Sequence, residues 1–146
     1  IKKYYNIGIA VDSDRGLIVP VIKRAEIKDL YQLAKEIVEL SDKVSKRNID
    51  MMDLQGGSFT ITNYGSIGGT YGTPIINSPE AAILGLGRIF DRAVFIDGKV
   101  LNRKILPLSL TFDHRILDGA EAARFLNDVK EYLENPEKIE FEGDKV

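Results

Sequence analysis

The sequence contains no cysteine and a single histidine. The first absence excludes disulfides, thiolate-bound zinc and a cysteine nucleophile. The second means that any imidazole chemistry must fall to His114. It also rules out a multi-histidine metal site within one chain, and no metal is expected. No apolar run approaches the roughly 20 residues that a membrane-spanning helix requires. No signal peptide is visible either, so no membrane partner is expected. A basic excess is lacking: 20 Lys and Arg stand against 22 Asp and Glu, a formal charge of −2. That balance argues against a nucleic-acid partner, which a basic stripe would mark. Repeats and low-complexity stretches are also missing.

What is present is a globular composition, 44% hydrophobic, 29% charged and 8% aromatic over 146 residues, the size of one domain. A chain this long buries roughly two-thirds of its unfolded surface, enough for a real core.

Ile7, Ile9 and Val11 alternate with their neighbours and predict a strand over 6–11. Turn residues follow at 12–16. A second strand is predicted over 17–22, with Pro20 placing it at an edge or bulge. Leu30, Leu33, Ala34, Ile37, Val38, Leu40 and Val44 recur at helical spacing and predict a helix over 28–44. Basic residues at 43–47 suit its carboxyl end. Phe59 and Ile61 oppose Thr60 and Thr62 in a short strand over 58–63, which runs into a glycine-rich loop at 64–72. The apolar run 81–86 predicts a strand buried on both faces. Asp97-Gly98 between 93–96 and 99–101 predicts a hairpin with a primed turn. Leu106, Leu108, Leu110 and Phe112 alternate in a last strand, with Asp113-His114-Arg115 at its end. Asp118, with Glu121 three residues on, predicts a helix cap. Ala122, Phe125, Leu126, Val129 and Leu133 form that helix's apolar stripe, and Asn135-Pro136 ends it. The mixture predicts an α/β or α+β domain, one sheet covered by helices.

Three groups are candidates for chemistry. His114 sits where a strand gives way to a helix, a place where catalytic groups concentrate, and imidazole suits proton transfer at neutral pH. On spacing alone, a surface or capping histidine is the commoner reading. Asp118 could orient the ring or simply cap the helix. Thr62 and its neighbour Thr60 could donate to an oxyanion, or merely follow the β-propensity of threonine. The glycines at 65, 68, 69 and 72 could let a ligand approach the backbone or serve tight turns. They are not a Walker loop, and Gly85-Leu86-Gly87 lacks the third glycine of a dinucleotide fingerprint.

The stretch Leu108-Ser109-Leu110-Thr111-Phe112-Asp113-His114-Arg115-Ile116-Leu117-Asp118-Gly119-Ala120 resembles the Asp-His-Arg-x-x-Asp-Gly signature of the dihydrolipoamide acyltransferases. These are the second components of 2-oxo-acid dehydrogenase complexes. The blocks at 6–21, 57–70 and 73–85 resemble other blocks of that family, in the same order and at the same spacing. The resemblance implies the coenzyme-A-dependent acyltransferase fold, a mixed sheet flanked by helices in an α+β two-layer arrangement. The chain would correspond to roughly the last three-fifths of such a catalytic domain, the lipoyl and peripheral-subunit-binding domains being absent.

The resemblance further implies transfer of an acyl group between dihydrolipoamide and coenzyme A, in the cytoplasm or, in a eukaryote, the mitochondrial matrix. It implies homotrimers that build a 24-mer or 60-mer core, with the dehydrogenase and dihydrolipoamide dehydrogenase components as partners. Each site would lie between two subunits, His114 of one facing Thr62 of its neighbour. Asp118 matches the family's second active-site position. Coenzyme A contacts map to Asp12, Thr62, Asn63, Gly87 and Ile89, and lipoate would arrive on a separate lipoyl domain. The acyl group is not readable. Two alternatives stay open: an inactive scaffold fragment, and an enzyme like chloramphenicol acetyltransferase, whose acceptor is a hydroxyl.

Overall fold

The computed structural model describes residues 2–14 and 16–139. Its centre is a mixed five-stranded sheet. Three strands run parallel: β1 (Ile7–Ile9), β5 (Phe59–Asn63) and β6 (Ala82–Leu86). Antiparallel strands flank them, β4 (Val21–Ile22) beside β1 and β9 (Leu108–Phe112) beside β6, giving the order β4-β1-β5-β6-β9. The run predicted to be buried on both faces is β6, where Ala82, Ile83, Leu84 and Gly85 are all buried. Small and branched apolar side chains on both faces suit a strand paired on both sides.

Both predicted N-terminal strands are split. After Ile9 the chain leaves the sheet at Ala10, whose N–H still reaches the Ile61 carbonyl at 2.9 Å. It then forms a separate hairpin of β2 (Val11–Ser13) and β3 (Gly16–Ile18). The second strand breaks at Val19-Pro20 into β3 and β4. Pro20 has no N–H to give a ladder; its carbonyl accepts from Ile9 at 2.9 Å and the ring is buried. The short β4 is the sheet's edge, as the proline required.

Helix α1 (Leu30–Ser45) starts at a capping box that the sequence reading passed over: Asp29 accepts from the Gln32 N–H at 2.7 Å, and Gln32 accepts in return from Asp29 at 3.0 Å. It touches β2 and β4. Of its predicted stripe only Leu40 and Val44 are buried, while Leu30 and Val38 are left exposed. Helix α2 (Gly119–Glu134) lies against β9, buries Ala122, and sets Phe125 edge-on to Phe59 with ring centroids 5.7 Å apart.

Between β6 and β9 the chain makes a hairpin of β7 (Phe90–Ile96) and β8 (Lys99–Ile105). It is longer than the alternation alone suggested. Its two-residue turn has φ of 49° at Asp97 and 78° at Gly98, the two positive values of a primed turn that matches the twist of the arms. No helix among the described residues is long and apolar enough to cross a membrane.

Candidate active site

The register gathers one set of candidates at a single end of the sheet. Thr62 pairs with Gly85 and Asn63 with Leu86, so both sit at the carboxyl ends of parallel β5 and β6. Gly87 and Ile89 follow β6 directly. Asp12 follows β1, which runs alongside β5 with Ile9 level with Ile61. In open sheets of parallel strands, ligands are taken up at this carboxyl end. Asp12, Asn63 and Ile89 are exposed there. Asn63 also ties down the next turn, its side chain accepting from the Ser66 N–H at 3.2 Å.

Thr62 opens into a cavity of about 440 Å³. Its walls are mainly apolar, with Val19, Ile75, Ile76 and Ile83 among them, and Thr60 and Asn77 add polar groups. Thr60 and Thr62 share a face because strand side chains alternate.

The glycines around this cavity serve the Tyr64 ring. A Cβ on Gly85 would come within 2.7 Å of the ring, and one on Gly72 within 3.1 Å. The Tyr64 hydroxyl donates to Ser109 Oγ at 3.1 Å, joining the loop to β9. Gly87 is fixed by the loop backbone, since a Cβ there would lie 2.1 Å from the Thr70 carbonyl oxygen. Within the glycine-rich segment, Gly69 and Gly72 make room for Tyr64 and Gly65 for the Gly87 backbone, while Gly68 takes a φ of 94° in a turn.

The other candidates lie elsewhere. Asp113 is the last residue on the sheet's ladder, its N–H donating to the Ala81 carbonyl at 2.8 Å. Its own carbonyl accepts from Ile116 and Leu117, which closes a turn that carries His114 at its outer side. Arg115 grips the Asp113 carboxylate through Nε at 2.9 Å, Nη2 at 2.6 Å and its backbone N–H at 2.9 Å. These hydrogen bonds from Arg115 bring the Asp113 pKa down to about 2. The His114 ring is exposed and tilts against Phe112, centroids 5.6 Å apart. Asp118 caps α2: it accepts from the Glu121 N–H at 2.7 Å, and Glu121 accepts from Asp118 at 3.2 Å. Among the described residues no side chain hydrogen-bonds to the imidazole.

One chain does not bring Thr62 and His114 together. Thr62 is level with Gly85 and Ser109, whereas Phe112 is level with Ala82 at the other end of β6. Three residues of strand, roughly 10 Å, separate those levels, and His114 lies beyond Phe112.

Sequence reasoning missed Glu80. A glutamate between Pro79 and Ala81 reads as a surface residue, yet it is buried and accepts from the buried Thr60 hydroxyl at 2.6 Å. No local signal reveals the contact: Thr60 lies within β5, and Asn77 and Glu80 precede β6.

The family model described as "2-oxoacid dehydrogenases acyltransferase (catalytic domain)" matches residues 1–141. The chain belongs to this family. It is 46% identical, over 97% of its length, to the dihydrolipoyllysine-residue acetyltransferase component of the pyruvate dehydrogenase complex from Staphylococcus aureus, and spans 33% of that relative. It spans about a third of the length of such curated relatives. Among solved structures it resembles the dihydrolipoamide acetyltransferase of Azotobacter vinelandii, with 47% identity and a TM-score of 0.88 over 92% of this chain and 55% of that one. There, the roles of one serine, one histidine and one asparagine in the catalytic mechanism were investigated. The cubic core of a pyruvate dehydrogenase multienzyme complex gives the same TM-score, 0.88, at 47% identity.

Proposed function

We propose that the chain supplies the acyl-transfer site of a dihydrolipoamide acyltransferase, moving an acetyl group between dihydrolipoamide and coenzyme A. One observation carries this reading. The interval from the serine to the histidine in the Azotobacter enzyme equals that from Thr62 to His114, and its asparagine follows at the interval of Asp118. The choice of acetyl rests on the names of the relatives. Both thiols come from the substrates, so a chain without cysteine can run the exchange.

The opposite placement of the two side chains within one chain supports a site built from two chains. His114 of one protomer is thus paired with Thr62 of another, and a homotrimer is the smallest assembly that the family resemblance offers. A 24-mer or 60-mer core, its dehydrogenase and dihydrolipoamide dehydrogenase partners, and a cytoplasmic setting belong to the same proposal. The carboxyl ends of β1, β5 and β6 fit coenzyme A as substrate. Asp12 and Asn63 are exposed there as polar contacts, and Arg88 next to Gly87 is exposed as a cation for phosphate.

In the reaction His114 takes the proton of the attacking thiol. At ordinary pKa values of about 8.5 and 6.5, complete transfer before attack would cost about 2.7 kcal/mol. Transfer during attack avoids most of that. The sulfur bonds to the thioester carbon, and the carbonyl oxygen becomes an oxyanion that the Thr62 hydroxyl stabilises. Collapse breaks the original carbon–sulfur bond, and the leaving thiolate recovers the proton from His114. Removing one such donor typically costs ~2.7–4 kcal/mol in the transition state. Thr62→Ala in the assembled protein should therefore lower acetyl exchange between the two thiols by about 10²–10³-fold, with Thr62→Ser close to the parent. Unchanged exchange in Thr62→Ala would refute the assignment.

A further inference from the structure

Segment 71–79 forms the outer wall of the cavity beside Thr62, with Thr73, Pro74, Ile75 and Ile76 lining it. Among the described residues, a single side chain of that segment hydrogen-bonds to anything beyond it, and that is Asn77. Its amide donates to Thr60 Oγ1 at 3.5 Å and to Glu80 Oε1 at 3.4 Å, while Thr60 donates to Glu80 Oε2 at 2.6 Å. The Asn77 carbonyl also accepts from the Glu80 N–H at 2.9 Å. The space for this knot is made by glycines. A Cβ on Gly57 would stand 2.3 Å from Glu80 Oε1, and one on Gly8 would stand 2.8 Å from Thr60 Oγ1.

A buried carboxyl that engages only neutral side chains contributes little as an ion pair. It has two oxygens facing two elements, however, and so fixes the distance between them. One oxygen holds Thr60 on β5, two residues from Thr62 on the same face. The other holds the wall. The remaining contacts of the wall are apolar and non-directional, and those tolerate sliding in a way that a hydrogen bond does not.

We propose that Glu80, through Thr60 and Asn77, is a positioning residue that holds the 71–79 wall of the cavity beside Thr62 and so tunes which acyl chains fit it best. This rests on the acyl-transfer reading above, in which the acyl carbon sits against the Thr62 hydroxyl and its chain points into the apolar space between Ile75, Ile76 and Ile83. The knot fixes the wall; loosening it shifts the preference toward bulkier, branched chains.

The test uses the assembled protein with Asn77→Ala, Glu80→Ala and Glu80→Gln. Two quantities are read: amide hydrogen exchange across 71–79, and kcat/KM for isobutyryl relative to acetyl transfer. Asn77→Ala and Glu80→Ala should raise exchange in 71–79 about tenfold while α2 stays at the parent rate. They should move the isobutyryl-to-acetyl ratio up by about tenfold, mainly through KM. Glu80→Gln keeps an acceptor for Thr60, and its NH2 can donate to Asn77 Oδ1 once that amide turns over, so it should restore both values. Asn77→Ala leaves the Thr60–Glu80 bond intact and serves if Glu80→Ala fails to fold. Parent-like exchange at 71–79, or an unmoved substrate ratio, overturns the proposal. Failure of the acyl-transfer reading shows separately, as no thioester exchange by the unsubstituted protein. In that case the exchange data alone decide whether the knot holds the wall.

Discussion

Thr62 and His114 stand at opposite ends of the same sheet, Thr62 level with Ser109 and His114 past Phe112 on the same strand's far side. A site made of both needs two chains, and that can be tested by mixing. Chains with Thr62→Ala and chains with His114→Ala should each be nearly inactive alone. Co-assembled in equal amounts, they should recover about a quarter of the parental sites, because random pairing joins two intact halves that often. Turnover of thioester exchange after co-refolding measures it. No recovery would mean that both groups serve one chain.

Asp118 is the cap of α2, and a cap can be separated from an active-site role by choice of side chain. Asparagine caps as well as aspartate, whereas alanine does not. Asp118→Ala should cost about 1 kcal/mol in unfolding free energy, and Asp118→Asn only a few tenths. Urea midpoints give the comparison. If Asp118→Asn is stable but loses turnover, the carboxylate has a task beyond the cap.

The Tyr64 ring fills the space that Gly85 leaves open. Gly85→Ala would place a methyl 2.7 Å from the ring, which Gly72 confines from another side. The expected cost is about 1–3 kcal/mol of overpacking. Adding Tyr64→Leu should return part of it, a non-additivity that a double-mutant cycle in urea detects.

The clamp beside His114 has a pH signature. Asp113 titrates at about 2 in the folded chain, below its ordinary value, because Arg115 holds it ionised. The folded state therefore binds this proton less readily than the unfolded state. Its stabilisation is complete above the unfolded value of about 4 and disappears as pH falls through the folded one. Thermal unfolding from pH 5 downward should show a steeper loss for the parent than for Arg115→Gln. Parallel curves would mean that the pair contributes nothing.

Much of this architecture is local and was legible. The Asp97-Gly98 turn needs only two residues with positive φ, and the α2 cap only an aspartate and a glutamate three apart. The apolar run of β6 signalled a strand enclosed on both faces. The failures are long-range. Ile7, Ile9 and Val11 alternate without a break, yet the chain leaves the sheet at Ala10: its pairing with β5 ends at Ile9 and Ile61, although β5 itself continues to Asn63. The α1 stripe gave a helix but not how little of it would be covered. The glycines of 64–72 left a ligand and tight turns both open, and only the fold shows that Gly69 and Gly72 make room for Tyr64, Gly65 lies against the Gly87 backbone, and Gly68 turns the chain at a φ of 94°. Glu80 carries no local sign of burial, because its partner is a threonine twenty residues earlier. At the site, the histidine and the threonine were named through resemblance, which also assigned them to different subunits; the strand register adds how far apart they lie within one chain.

The two-residue length of β4 has one more effect. A foreign strand joining the sheet on that flank would find almost no ladder to copy. Growth by strand addition finds little to build on there, which leaves β9 as the flank open to a further strand.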